Sequence, residues 1–538
     1  MDWIMLEYLK SDVIEVNRVD ISEGDGILEG IFENVDIPGC TITDVQMVTE
    51  GSLTLADDRI ITDLPAFCRV SLQLKPTTQS NIRVELWLPQ EWNGRFLGTG
   101  NGGSASYISY NPLTFGVRRG YATANTDMGT SPNAFEAISH PERWVDFGYR
   151  ATHEMTVAAK SLIQLFYNRS ASYAYFMGCS TGGQQALMEA QRYPTDYQGI
   201  IAGAPANNRT HLHTGFLWNF KATNQGTGAH FSKEQMAFIT RKVVEHGRGK
   251  DGGALHGDNF LTDPRLLQFN PETLAASQGD DEGVSLTDEQ ISALKLIYAG
   301  PTNPRTGERI YTPLPYGSED CGGGLDLQQD PERLPSSLLY PFNWVFGADF
   351  DYTTFDFDRD LDTLNERLAP ILNANNPDVS EMKALGGKIL LYTGMSDPLV
   401  PYQDALHYYE RVIEHQGSLD QTQDFFRLFL VPGMGHCGGG PGLNDLGQGG
   451  HSNLPRDREY DILSALVEWV EHGKAPEKFI ATAFKDGFAP NGISFQRPIY
   501  PYPKLPEYVS GDPNLPASYR EVDHPRGGVL IPAAKYLV

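Results

Sequence analysis

Gly178-Cys179-Ser180-Thr181-Gly182 is the one Gly-x-Ser-x-Gly pentapeptide in this chain, and it sets a hydroxyl among small neighbours. A serine hydroxyl is a poor nucleophile at neutral pH. Acyl transfer through it therefore needs a base, an acid to orient that base, and fixed N–H donors for the developing oxyanion. The base candidate is His436, in Met434-Gly435-His436-Cys437-Gly438-Gly439, and the acid candidate is Asp397, in Thr393-Gly394-Met395-Ser396-Asp397-Pro398. Both lie just beyond apolar runs of strand character. One oxyanion donor would be the backbone N–H of Thr181, the residue after the nucleophile, and the second would come from the glycine cluster at 100–103. Cys179 immediately precedes the nucleophile and Cys437 immediately follows the base, so if Ser180 and His436 meet, a disulfide between their neighbours is geometrically plausible. Cys179 as the nucleophile is the competing reading. It would need a free thiolate, whereas a tight strand-to-helix turn aims the central serine at the substrate.

The elements that must position these groups are legible from periodicity. Segments 68–74 and 82–88 alternate polar and apolar residues as half-buried strands do. Segment 149–167 repeats apolar residues at helical spacing. A strand at 173–177, a glycine-flanked turn at 178–183, a helix at 184–192 and a buried strand at 199–205 follow. This strand–helix alternation predicts a mostly parallel α/β sheet, and the order Ser–Asp–His is that of the α/β-hydrolase fold, unlike the chymotrypsin or subtilisin orders. From 207 to 375 the texture turns rich in Gly, Pro, Asn and Asp, with helical patches at 233–246 and Asp288–Ala299. The βα rhythm returns with strands at 387–392 and 425–431 and a helix at 461–472. The expectation is an α/β-hydrolase core formed by 1–206 and 376–538, its sheet flanked by helices. A large lid, 207–375, would be inserted over the carboxyl edge of the strands, where α/β proteins bind ligands. The tail from Pro498 is expected to wrap the surface without regular structure.

Composition narrows the function. Across 538 residues, 42 Lys+Arg face 68 Asp+Glu, for a net charge of −26, and the pI is about 4.8. That charge opposes nucleic acid and anionic membrane surfaces alike, leaving a small molecule as the expected partner. Oligomeric state is not encoded in these patterns. No apolar window approaches the ~18 residues of a membrane span. The opening Met1-Asp2-Trp3-Ile4-Met5-Leu6-Glu7 carries acids where a signal peptide carries bases, so the chain as written is expected to be cytoplasmic, or secreted if a leader has been trimmed. Five cysteines, with no Cys-x-x-Cys or Cys/His ligand spacing, point to no structural zinc. The proposed chemistry requires no metal or other cofactor.

Taken together, these motifs make the chain resemble the tannase/feruloyl esterase family, α/β-hydrolases with a large inserted lid. The resemblance spans roughly Leu64 to Pro503 and rests on several motifs in order: Trp92-Asn93-Gly94-Arg95-Phe96, Gly178-Cys179-Ser180-Thr181-Gly182-Gly183, Phe355-Asp356-Phe357-Asp358 and Gly435-His436-Cys437-Gly438-Gly439-Gly440-Pro441-Gly442. It implies serine-dependent hydrolysis of carboxylic esters of aromatic acids, a catalytic Cys179–Cys437 disulfide, and oxyanion amides from Gly103 and Thr181. Family lids carry a calcium loop. Here Asp251 and Asp258 remain but Ala254 replaces a ligand carboxylate, which predicts weaker calcium binding or a plain polar loop. The family's lid cysteines fall at Lys250 and Leu267 and a C-terminal one at Tyr500, so those bridges are expected to be lost. The stretch from Leu338 to Phe346 could wall an acyl pocket or be core, and Arg333 or Arg359 could meet a substrate carboxylate or pair on the surface. The competing functions are a peptidase and a non-catalytic binding protein that kept the fold.

Overall fold

The computed structural model describes residues 36–537 except 50, 225, 227, 256, 276–282 and 450–453, together with 17–18 and 31–32. The acidic opening at Met1–Glu7 lies outside the described residues.

Nine strands form the central sheet: β1 (Cys40–Val48), β2 (Phe67–Leu74), β3 (Ile82–Pro89), β4 (Arg95–Thr99), β5 (Ala122–Thr126), β6 (Tyr173–Cys179), β7 (Gly199–Gly203), β8 (Lys388–Gly394) and β9 (Phe426–Val431). Their spatial order is β9-β8-β7-β6-β4-β5-β3-β2-β1. From β5 to β9 every pairing is parallel, whereas β1, β2 and β3 add an antiparallel edge. The side-chain period of two divides each parallel strand between two apolar layers. Phe176, Ile200 and Ile389 enter one layer, and their neighbours Tyr175, Ile201 and Leu390 enter the other. Helices cover both faces. The first layer takes α1 (Ala151–Tyr167), which buries Met155, Ala158, Ala159, Leu162, Ile163 and Phe166 as its periodicity predicted.

Helix α2 (Thr181–Arg192) starts three residues earlier than the sequence suggested. Gly182 and Gly183 read as loop, yet they open the helix because backbone crowds both. A Cβ on Gly183 would lie 2.3 Å from the Gly203 carbonyl oxygen, and one on Gly182 would lie 3.1 Å from that of Asn101. Tertiary contact here overrides propensity.

Between β7 and β8 the longer regular elements among the described residues are helices: α3 (Arg209–Thr223), α4 (Lys233–Gly247), α5 (Asp288–Ala299), α6 (Tyr340–Phe346) and α7 (Arg359–Leu372). Helices α4 and α5 begin at capping boxes, Ser232 with Gln235 and Thr287 with Gln290. Around Met236, Ile239, Val243, Ile291, Leu294 and Ile297 they enclose an apolar core of their own. Helices α3, α6 and α7 instead join the core beneath the main sheet, through Leu212, Phe216, Phe342, Trp344 and Leu364. The segment Leu338–Phe346 is accordingly core. Trp344 stacks on Trp144 with centroids 5.9 Å apart, and Tyr340 meets Phe147 edge-on. Arg333 and Arg359 are exposed and face Asp326 and Asp360.

After β8, α8 (Tyr402–Gln416) and α9 (Ile462–His472) complete the flanks. The tail departs from expectation. It pairs Leu505–Tyr508 with Tyr519–Val522 in an antiparallel hairpin and buries Tyr502 and Tyr536. Proline and tyrosine content concealed this. Each hairpin strand is only four residues long, too short for alternation to stand out.

Candidate active site

Strand β6 delivers Ser180 at its carboxyl end, and α2 begins at the next residue. Ser180 is held at φ 63°, ψ −118°, a conformation that side-chain-bearing residues seldom adopt. Its surroundings over-determine it. The Ser180 N–H donates to Gly203 O at 3.0 Å, and its carbonyl accepts from Gln184 and Ala206. A Cβ on Gly178 would sit 2.4 Å from the Gly182 carbonyl oxygen, so the small flanking residues are a steric requirement of the turn.

Asp397 follows β8 and is fully buried. Its Oδ1 accepts the Leu399 and Val400 N–H groups, each at 2.9 Å, and its Oδ2 lies 2.7 Å from His436 Nδ1. His436 follows β9 and is part-buried. The two loops lie against each other because β8 ends in glycine. A Cβ on Gly394 would come within 2.3 Å of Met434 O and 2.4 Å of Gly435 O.

Cys179 and Cys437 are joined by a disulfide with Cα atoms 5.9 Å apart, across 258 positions of sequence. The bridge ties the residue before Ser180 to the residue after His436. It also leaves Cys179 without the free thiolate that a cysteine nucleophile would need. Replacing both cysteines with alanine should lower kcat by up to about 100-fold while KM changes far less, because a misplacement near 1 Å between reacting groups costs that much. Steady-state kinetics on the double variant would check this, and unchanged kcat would show that the bridge does not position the site.

The oxyanion candidates lie side by side. Thr181 takes the first helical position of α2, where the N–H has no intrahelical acceptor. Its hydroxyl donates to Gly103 O at 2.6 Å. Gly103 has φ +57°, and the direction its missing Cβ would take is open. The glycine loop is clamped onto α2 by Gly182 N–H to Asn101 O at 2.7 Å and by Asn101 N–H to Gln185 Oε1 at 2.9 Å. Sequence reasoning did not single out Asn101, Gln185 or Gly394. Asn101 stood within a glycine cluster, and the other two carried no local signal.

Of the two readings of the Asp251–Asp258 stretch, weakened calcium binding or a plain polar loop, the side chains favour the second. Both Asp258 oxygens are taken by Arg497, at 2.7 Å each, and Arg248 binds the Leu255 and Asp258 carbonyls. Asp251 is largely exposed, 3.5 Å from His524. Two guanidinium groups thus occupy oxygens that a calcium ion would need, and like charge excludes it. His256 of this loop lies outside the described residues. Chelation by EDTA should leave Tm and activity unchanged, whereas Arg497→Met should cost about 3–5 kcal/mol by stranding a buried carboxylate. Thermal unfolding with and without chelator, on both proteins, tests the pair of outcomes.

A mostly parallel sheet with a strained serine turn after β6, and a buried Asp paired with a part-buried His on the loops after β8 and β9, defines an α/β-hydrolase. The family model for tannase and feruloyl esterase matches residues 68–522. An uncharacterized esterase of Xanthomonas campestris is 36% identical over 534 residues, covering 92% of this chain and 91% of that protein. Feruloyl esterase B of Aspergillus niger is 31% identical, covering 88% of this chain and 91% of its own. The crystal structure of feruloyl esterase B from Aspergillus oryzae superposes with a TM-score of 0.84 at 27% identity, over 92% of this chain and 99% of that one. The chain belongs to the tannase and feruloyl esterase family, and it is a carboxylic ester hydrolase.

Proposed function

We propose that the chain hydrolyses carboxylic esters of phenolic acids, feruloyl and other hydroxycinnamoyl or galloyl esters, through an acyl-enzyme on Ser180. His436 takes the hydroxyl proton as Ser180 Oγ bonds to the ester carbonyl carbon, and Asp397 holds the imidazole tautomer and stabilises the imidazolium. The Thr181 and Gly103 amides receive the oxyanion. Collapse breaks the bond to the alcohol oxygen, which leaves with the proton from His436. Water, deprotonated by the same imidazole, then releases the acid and regenerates the hydroxyl. We treat 207–375 as a lid over this edge. Gln328 reaches the Pro398 carbonyl, next to Asp397, at 2.9 Å.

The observation that carries this reading is the disulfide, which draws together the backbone on either side of the strained serine and the Asp-paired histidine. The relatives named as feruloyl esterases support the acyl group proposed. Tannin acyl hydrolysis, or hydrolysis of a terephthalate monoester, is the alternative within the same chemistry. A panel of methyl ferulate, methyl gallate, chlorogenate and a terephthalate monoester, each with its matched amide, separates these from one another and from a peptidase. Labelling by an organophosphate, mapped to Ser180 by mass spectrometry, tests the nucleophile. A chain that turns over the panel yet labels elsewhere refutes it.

A further inference from the structure

Arg209 opens α3 and turns its side chain inward, where it is 2% exposed. Its Nη2 donates to Thr181 Oγ1 at 2.5 Å and its Nη1 to the Tyr340 hydroxyl at 3.1 Å. The guanidinium carbon lies 5.0 Å from the Phe147 ring centre, and Nε has no hydrogen-bond partner among the described residues. Among the described residues, no carboxylate pairs with this cation. Two other arginines with buried side chains behave differently. Arg265 and Arg497 each grip an aspartate through more than one nitrogen. Neighbouring His213 does not balance or add charge, since burial pushes its pKa down to about 3, with Arg209 contributing. Arg209 itself is destabilised as a cation by burial, though a guanidinium stays protonated in proteins.

An uncompensated charge withdrawn from water is expensive, and in a hydrolase it is useful only where negative charge develops. The contact made by Arg209 shows where that is. Its partner is the hydroxyl of Thr181, the same hydroxyl that donates to the Gly103 carbonyl. Arg209 therefore fixes the direction of the Thr181 O–H, and through it the spacing of the two oxyanion amides.

We propose that Arg209 is a positioning residue for oxyanion binding, locking the Thr181 and Gly103 amides in register through the Thr181 hydroxyl and holding an unpaired positive charge behind them. The assignment deepens the Ser180 acyl-enzyme reading and rests on it. The charge favours the negatively charged tetrahedral intermediate over the neutral ester, so its effect belongs in kcat and not in ground-state binding.

The test uses the full chain and the panel ester turned over fastest, with phenylboronic acid as a tetrahedral-adduct probe and the acid product as a ground-state probe. Arg209→Met should lower kcat by about 10- to 100-fold, below the loss of a direct oxyanion donor, and should weaken the boronate by a similar factor. KM and affinity for the acid product should move by less than about threefold, the pattern of an interaction made only in the transition state. Thr181→Val keeps the backbone amide but removes the relay, so it should show the same split, and the double variant should lose less than the product of the two single losses, because the shared relay is lost only once while the charge is lost with Arg209. Unchanged kcat in Arg209→Met, equal weakening of boronate and acid product, or additive losses in the double variant would each overturn the proposal. If Arg209→Met does not fold, Thr181→Val decides alone, and unchanged kcat there overturns it. Failure of the underlying reading looks different, because wild-type protein would then hydrolyse esters without organophosphate on Ser180.

Discussion

Ser180→Ala should lower kcat by about 10⁵- to 10⁶-fold, with KM nearly unchanged, because the nucleophile of a Ser–His–Asp unit acts only along the reaction coordinate. The fold should survive. Alanine meets the same backbone strain at φ 63° as serine does, and the hydrogen bonds that hold this turn are made by backbone atoms. Residual turnover should come from oxyanion binding and substrate positioning alone. The measurement is kcat on the best panel ester beside a thermal melt, with organophosphate stoichiometry as control. Near-normal turnover in a folded variant would dismiss Ser180, and Cys179 could not replace it because its sulfur is committed to Cys437.

Asp397→Asn should cost about 10⁴-fold in kcat, through the tautomer of His436. The surroundings dictate how the amide must sit. Oδ1 of Asp397 faces two N–H donors, from Leu399 and Val400, so the asparagine carbonyl must turn toward them. The NH₂ group then points at His436 Nδ1, which must accept, and the imidazole proton moves to Nε2. In that state the ring cannot take a proton from serine. Tm should fall little, since the backbone bonds and side-chain volume are retained. Loss of folded protein in place of loss of turnover would make Asp397 a structural acid.

Much of this architecture was legible before any tertiary contact was known. Alternation at 68–74 and 82–88 marks two strands, found at Phe67–Leu74 and Ile82–Pro89, and helical spacing at 149–167 marks a helix, found at Ala151–Tyr167. The helical patches at 233–246 and Asp288–Ala299 are found as helices Lys233–Gly247 and Asp288–Ala299. The adjacency of Cys179 to Ser180 and of Cys437 to His436 made a bridge plausible, and the bridge is present. Other elements resisted. The tail hairpin and the first turn of α2 are not legible in the sequence, because four-residue strands and paired glycines carry little periodic signal. The choice between a weakened calcium loop and a plain polar loop was illegible for a related reason. Asp258 looked like a remnant ligand until its partner proved to be Arg497, 239 positions away.

Sequence alone determined what depends on near neighbours: strand and helix periods, the small residues a strained turn demands, and the types and order of the candidate catalytic groups. Those rules act over a few residues and leave their marks in the chain itself. Tertiary structure alone decided the partners of buried charge. Arg209 and Arg497 are equally ordinary arginines in the sequence, yet one closes on a carboxylate and the other stands unpaired behind the Thr181 hydroxyl. The physical reason is that solvation and Coulomb energy depend on which distant segments exclude water together, and that is a property of the packed whole.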